Sequence, residues 1–134
     1  MKRIILLAFL CTTTLVMAQR INHVQEAIAN YDYEAALTLI AKEKPTIPLL
    51  LQKGKAQRGL GMNTEALSTY QEIITNDTAN TRAYIEAAEC CRSLAKYQQA
   101  LKYYEQALDL NPENKYVRIQ YIGLLLSLQK FRML

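Results

Sequence analysis

At 134 residues the chain has room for one hydrophobic core of domain size and not for two. With 51% hydrophobic and 21% charged residues, three prolines and no tryptophan, the composition excludes a disordered polymer and suits a globular helical protein. The formal charge of +4 shrinks to fourteen basic against twelve acidic side chains once Lys2 and Arg3 are assigned to a leader, and the basic residues are scattered, so no nucleic-acid-binding face is expected.

Met1 to Ala18 reads MKRIILLAFLCTTTLVMA: two basic residues, an apolar run from Ile4 to Leu10, then a more polar stretch ending in a small residue. This is the three-part build of a secretory signal peptide, with cleavage expected before Gln19. The run Ile4 to Leu10 is too short for a comfortable membrane span, which needs about 20 residues. Three other readings compete less well. A lipoprotein anchored at Cys11 would want a small residue where Leu10 stands; an uncleaved anchor and a plain core helix are the others. The signal predicts export into a bacterial envelope, with membrane contact only before cleavage.

From Gln19 onward Ile21, Val24, Ala27 and Ile28 recur at spacings of three and four, one face of an amphipathic helix. Asn30-Tyr31-Asp32 breaks it, and Asp32 is placed to cap a second helix carrying Ala35, Ala36, Leu37 and Ile40. Pro45 and Pro48 end that hairpin and open the next helix. A third helix from Ile47 should stop at Gly59 and Gly61, and Asn63 with Glu65 should start a fourth. Tyr84, Ala87, Ala88 and Cys91 then give the inner stripe of a fifth helix, and Ala100, Leu101, Tyr104, Ala107 and Leu108 that of a sixth. Lys115 onward starts a further hairpin whose second helix is cut off soon after Phe131. That leaves Leu124, Leu125, Leu126, Leu128, Phe131, Met133 and Leu134 poorly covered, which favours a longer chain over a docking end.

These segments repeat. A shift of 34 residues lays Ala66-Leu67 on Ala100-Leu101, Tyr70 on Tyr104 and Asn80 on Asn114. It also lays Leu50 on Tyr84, Gly54 on Ala88, and Asn63 on Tyr97 and then Phe131. Such a period marks stacked helical hairpins. The pattern of Tyr84, Ala87, Ala88, Tyr97, Ala100, Tyr104, Ala107 and Pro112 resembles the tetratricopeptide repeat. The resemblance covers residues 19–134, in units of about 19–46, 47–80, 81–114 and an incomplete 115–134. It implies an all-α, right-handed superhelical solenoid of antiparallel hairpins, and a small residue at Gly54 that lets paired helices approach.

No catalytic or metal-binding constellation is present: His23 is the only histidine, and no GxGxxG, Walker, GxSxG or HExxH motif occurs. Cys90 and Cys91 are adjacent on one helix, where a bridge between them would be strained, and read as small seam residues. Neither enzyme activity nor a cofactor is expected.

The resemblance implies a concave wall made by the first helix of each pair, able to take a peptide. Its residues are Leu51, Lys55 and Arg58, then Ile85, Glu89 and Arg92, then Ile119, Gly123 and Leu126, with Arg82 and Tyr116 one turn earlier on their helices. Leu51, Ile85 and Ile119 are the expected apolar anchors, and the Lys and Arg side chains would select an acidic segment. One branch of the family grips chaperone C-termini through a Lys and Asn clamp. Here Leu51, Lys55, Ile85 and Glu89 occupy those places, with Glu86 where an Arg is wanted, so that clamp is not expected. The function expected is an exported scaffold or adaptor for a protein or peptide. The alternative is the extracytoplasmic input module of a longer signalling protein; an enzyme with its catalytic part after Leu134 has no support in these residues.

Overall fold

The computed structural model describes residues 1–133, and among them every regular element is helical. Seven helices run in order: α1 (Lys2–Ala29), α2 (Tyr33–Ile40), α3 (Ile47–Gly59), α4 (Asn63–Asn76), α5 (Thr81–Ser93), α6 (Tyr97–Leu110) and α7 (Lys115–Arg132). They fall into two compact units, Met1–Leu60 and Gly61–Leu134. The boundary lies inside the expected 47–80 repeat, at the turn between its two helices.

In the first unit Val24 and Ile28 of α1, Ala36 and Ile40 of α2, and Leu49 and Ala56 of α3 form the core, with Ile21, Ala27, Tyr33, Leu37 and Leu39 packed around it. The spacings of three and four in the sequence put these side chains on facing stripes, and burying them is what holds the three helices together. Gly59 does more than end α3: a Cβ there would overlap the ring of Tyr33, so the glycine lets the start of α2 and the end of α3 meet. The helix expected to begin at Gln19 instead continues one begun at Lys2. Nothing between those points interrupts it, since the segment holds no Gly or Pro.

In the second unit α5 is buried against α4 and α6, and α7 packs on α6. Ala66, Leu67, Tyr70 and Ile73 of α4 join the expected stripes of α5 and α6, all of them buried except the partly exposed Leu108. Alanines opposite tyrosines let the helices close without voids. Polar links reinforce the packing at the surface: Gln71 donates to the Tyr103 hydroxyl at 3.0 Å, and Tyr121 donates to Glu105 at 2.8 Å. Cys90 and Cys91 are free thiols buried in this seam, and burial pushes the Cys91 thiol above its ordinary value.

The repeat also governs the turns. Asn80 and Asn114, one period apart, cap α5 and α7 by accepting from Ala83 N at 3.0 Å and Val117 N at 3.1 Å. Within hairpins the device differs. Tyr31, Gly61 and Ala95 each adopt a left-handed conformation, at φ of 61°, 75° and 57°, and a new helix starts two residues later. Beside two of them, Asp32 N donates to Ala27 O and Lys96 N to Cys91 O, both at 2.8 Å, which is the bonding that closes a helix end through a left-handed residue.

At these turns one expectation holds and one needs correction. Asn63 is the first residue of α4 as expected, and Met62 holds the cap position with no side-chain bond. The residue one period beyond Ala95 is Gln129, where the hairpin turn of the last unit was expected, yet α7 runs on to Arg132. A left-handed turn at a residue other than glycine costs about 1–2 kcal/mol. Packing of a second helix offsets that cost at Ala95; among the described residues α7 has no such helix to gain.

Candidate functional site

The expected wall residues are distributed over both units. In the first, Leu51, Lys55 and Arg58 follow one another at spacings of four and three along α3; Lys55 is exposed and the other two are half-buried. In the second, Arg82, Ile85, Glu89 and Arg92 rise along α5, and Tyr116 and Ile119 stand on α7. Arg82 lies 3.9 Å from Glu86, one helical turn away, and its side chain remains 66% exposed. Ile85 is half-buried, whereas Ile119 and Leu126 are 68% and 58% exposed, large for isoleucine and leucine on a packed helix. A Cβ at Gly123 would meet nothing within 4 Å, so the wall is open between them.

Glu89 gathers the polar groups of this wall. Its Oε1 accepts the Tyr104 hydroxyl at 2.6 Å and the Tyr116 hydroxyl at 3.0 Å, and its Oε2 lies 3.6 Å from Arg92 Nη1. Arg92 Nη1 also donates to Gln120 Oε1 at 2.6 Å and reaches the Tyr104 oxygen at 3.4 Å. The network therefore ties α5 to α6 and to α7. Burial, and then the hydrogen bond to Glu89, push both Tyr104 and Tyr116 above their ordinary value of 10.0. The hydrogen bond to Tyr104, aided by the Glu89 charge, raises Arg92 as well.

Sequence reasoning placed Glu89, Arg92 and Tyr116 on one wall, and the structure brings those three together. It missed Tyr104 and Gln120. Tyr104 was read as packing alone, because its ring fills the seam; its hydroxyl, at the end of a fully buried side chain, needs a polar partner and finds Glu89. Beside the network lies a cavity of about 680 Å³, lined by Glu89, Arg92 and Tyr97 on one side and Leu124, Leu128 and Phe131 on the other. The one-period match of Phe131 to Tyr97 was legible in the sequence, but the pocket between them depends on α7 running straight. Among the described residues no group of three His, Cys, Asp or Glu could hold a metal ion.

Residues 81–114 match the family model of the tetratricopeptide repeat. Over 89 residues, 66% of the chain, the sequence is 30% identical to human tetratricopeptide repeat protein 6, and the chain spans 16% of that relative's length. Among solved structures, the first tetratricopeptide domain of Spaghetti (RPAP3), bound to the HSP90 peptide SRMEEVD, superposes with a TM-score of 0.78 at 20% identity, covering 84% of this chain and 92% of the other. PcrH, from Pseudomonas aeruginosa, in complex with the chaperone-binding region of PopB, superposes with a TM-score of 0.71 at 17% identity, covering 81% and 94%. The chain therefore has the all-α fold of tetratricopeptide domains, built from antiparallel helix hairpins, with one repeat, residues 81–114, matched in sequence.

Proposed function

We propose that the chain is a non-enzymatic protein-interaction module, which holds a peptide or protein segment along the wall formed by α5 and α7. The observation that carries this reading is the exposed apolar row Tyr116, Ile119 and Leu126 set beside the Glu89–Arg92 network, on a fold whose solved neighbours include domains bound to a peptide and to a segment of another protein. The apolar row supplies contact area, and the network, already satisfied, supplies a rigid floor. Chaperone-tail capture of the clamp type is not part of the proposal, since Ile85, Glu86 and Glu89 stand where the clamp's polar and basic side chains would be.

Charge selection rests mainly on Arg82. Arg92 already faces Glu89 and Gln120, so an incoming carboxylate would have to compete for it, whereas among the described residues Arg82 has its 3.9 Å contact with Glu86 alone. An acidic residue in the partner beside Arg82, with apolar residues over Ile119 and Leu126, is the arrangement this wall favours. Residues 1–18 act as an export signal in this reading, and the repeats work in a bacterial envelope. Reversing charge at Arg82 and removing the anchor with Ile119→Asp tests it in cells: partners recovered with the wild-type chain should be lost from the double variant. Unchanged recovery would remove the wall from the account.

A further inference from the structure

We infer that the first two-thirds of α1 is a retained membrane anchor, embedded in a lipid bilayer and continuous with the repeat-bearing domain. The reading above requires only that residues 1–18 direct export; retention is a separate step, with separate grounds.

The first ground is exposure. Every residue from Met1 to Arg20 is exposed, and Ile4, Ile5, Leu6, Leu7, Phe9 and Leu10 are each at least 60% so. The run from Ile4 to Leu10 is the most exposed part, while Glu43 stands beside Thr12, Thr13, Val16 and Met17, and a contiguous apolar surface of this kind is unstable in water. The second ground is length. An 18-residue window of α1 has a mean hydropathy of 1.9 with none of it buried, and at 1.5 Å per residue it spans about 27 Å, close to the roughly 30 Å of a bilayer's hydrocarbon core. The short apolar run Ile4 to Leu10 understates this because the threonines after it look polar. In the helix they are internally satisfied: Thr12 donates to Phe9 O and Thr13 to Leu10 O, both at 2.9 Å, and Thr14 donates to Cys11 O at 2.9 Å. A threonine so bonded brings no unmet donor into lipid.

The third ground is continuity. The helix passes through Ala18 and Gln19 without a break and delivers Ile21, Val24, Ala27 and Ile28 to the core of the first unit. Near the end of that window Arg20 donates to Glu43 at 2.8 Å, fixing α1 to the segment after α2, and the uncharged stretch between Arg3 and Arg20 spans about 24 Å. Lys2 and Arg3 at one end and Arg20 at the other mark the two polar boundaries, and basic residues at the start favour leaving that end in the cytoplasm.

The test uses the full chain with a C-terminal tag, expressed in a bacterium. Membranes are washed with alkaline carbonate, and the recovered protein is weighed intact. Anchoring predicts the full 15.3 kDa chain plus tag, in the carbonate-resistant pellet. It also predicts that Leu7→Glu with Leu10→Glu moves the protein into the supernatant by about tenfold or more, since carboxylates in mid-span oppose insertion. Those side chains touch no core, so the variant should still fold, which its helical circular dichroism would show. A product lacking residues 1–18 overturns retention while leaving export intact. A full-length product in the soluble fraction overturns it too, as does a double variant that stays in the pellet.

Discussion

Truncating Glu89 to alanine is the most informative single perturbation of the wall. Glu89 accepts the hydroxyl of Tyr104, a residue with no exposed surface, at 2.6 Å, and after truncation that proton has no acceptor: Arg92, 3.4 Å away, can only donate. Losing a hydrogen bond to a charged group from a buried partner costs about 1.5–3 kcal/mol. The Tyr116 contact adds little, because that side chain is half-exposed and can turn to water. A loss of about 2–3 kcal/mol should lower the melting temperature by roughly 6–12 °C for a domain of this size. Thermal unfolding followed by circular dichroism reads it directly. Tyr104→Phe in the Glu89→Ala background completes the argument: the two substitutions should couple by about 1–2 kcal/mol, since the second removes the group the first left unpaired. A Glu89→Ala variant within about 0.5 kcal/mol of wild type, or a cycle with no coupling, would refute the account of the network.

Three further outcomes follow from the turns, the seam and the weak acids whose titration the fold shifts. Ala95→Gly removes the left-handed strain at φ 57°, worth about 1–2 kcal/mol and partly offset by added freedom of the unfolded chain, so urea unfolding should show a net gain of about 0.5–1 kcal/mol. Ala100 has no exposed surface, and Ala100→Leu should destabilise by about 1–3 kcal/mol through overpacking, seen as a lower urea midpoint with the slope unchanged. The pH dependence has a definite sign. Cys91, Tyr104 and Tyr116 are held above their ordinary values of 9.0 and 10.0, so the unfolded chain gives up these protons first as pH rises. Stability from these groups is complete below about pH 9 and declines above it, and melting temperatures taken from pH 7 to 11 should be level and then fall.

The sequence revealed the hairpins because their side-chain spacing is periodic twice over, at three and four residues within helices and at 34 between units. Ala66 with Ala100 and Asn80 with Asn114 occupy matching places in the structure for that reason. The turns were harder to read. Gly61 announces a left-handed residue, but Tyr31 and Ala95 do the same job without the glycine signal, and Gln129, at the next register position, does not do it. Whether a costly backbone state forms there depends on what packs beyond it, which is tertiary information. The wall divides in the same way. Register alone put Glu89, Arg92 and Tyr116 on one face. The hydroxyl of Tyr104 entering that face from α6, and the cavity beside Phe131, depend on side-chain directions that a repeat pattern does not encode.

The central claim is that α5 and α7 present the contacting wall. Site-specific photo-crosslinking tests it most directly, with a benzoylphenylalanine placed singly at Ile119, at Leu126, and at Gln106 and Asp109 on α6. All four positions are partly or fully exposed, so each probe can be reached. The account predicts a discrete crosslinked protein from Ile119 and Leu126, diminished by Arg82→Glu, and none from the two α6 positions. The same product from α6, with none from Ile119 or Leu126, would contradict it.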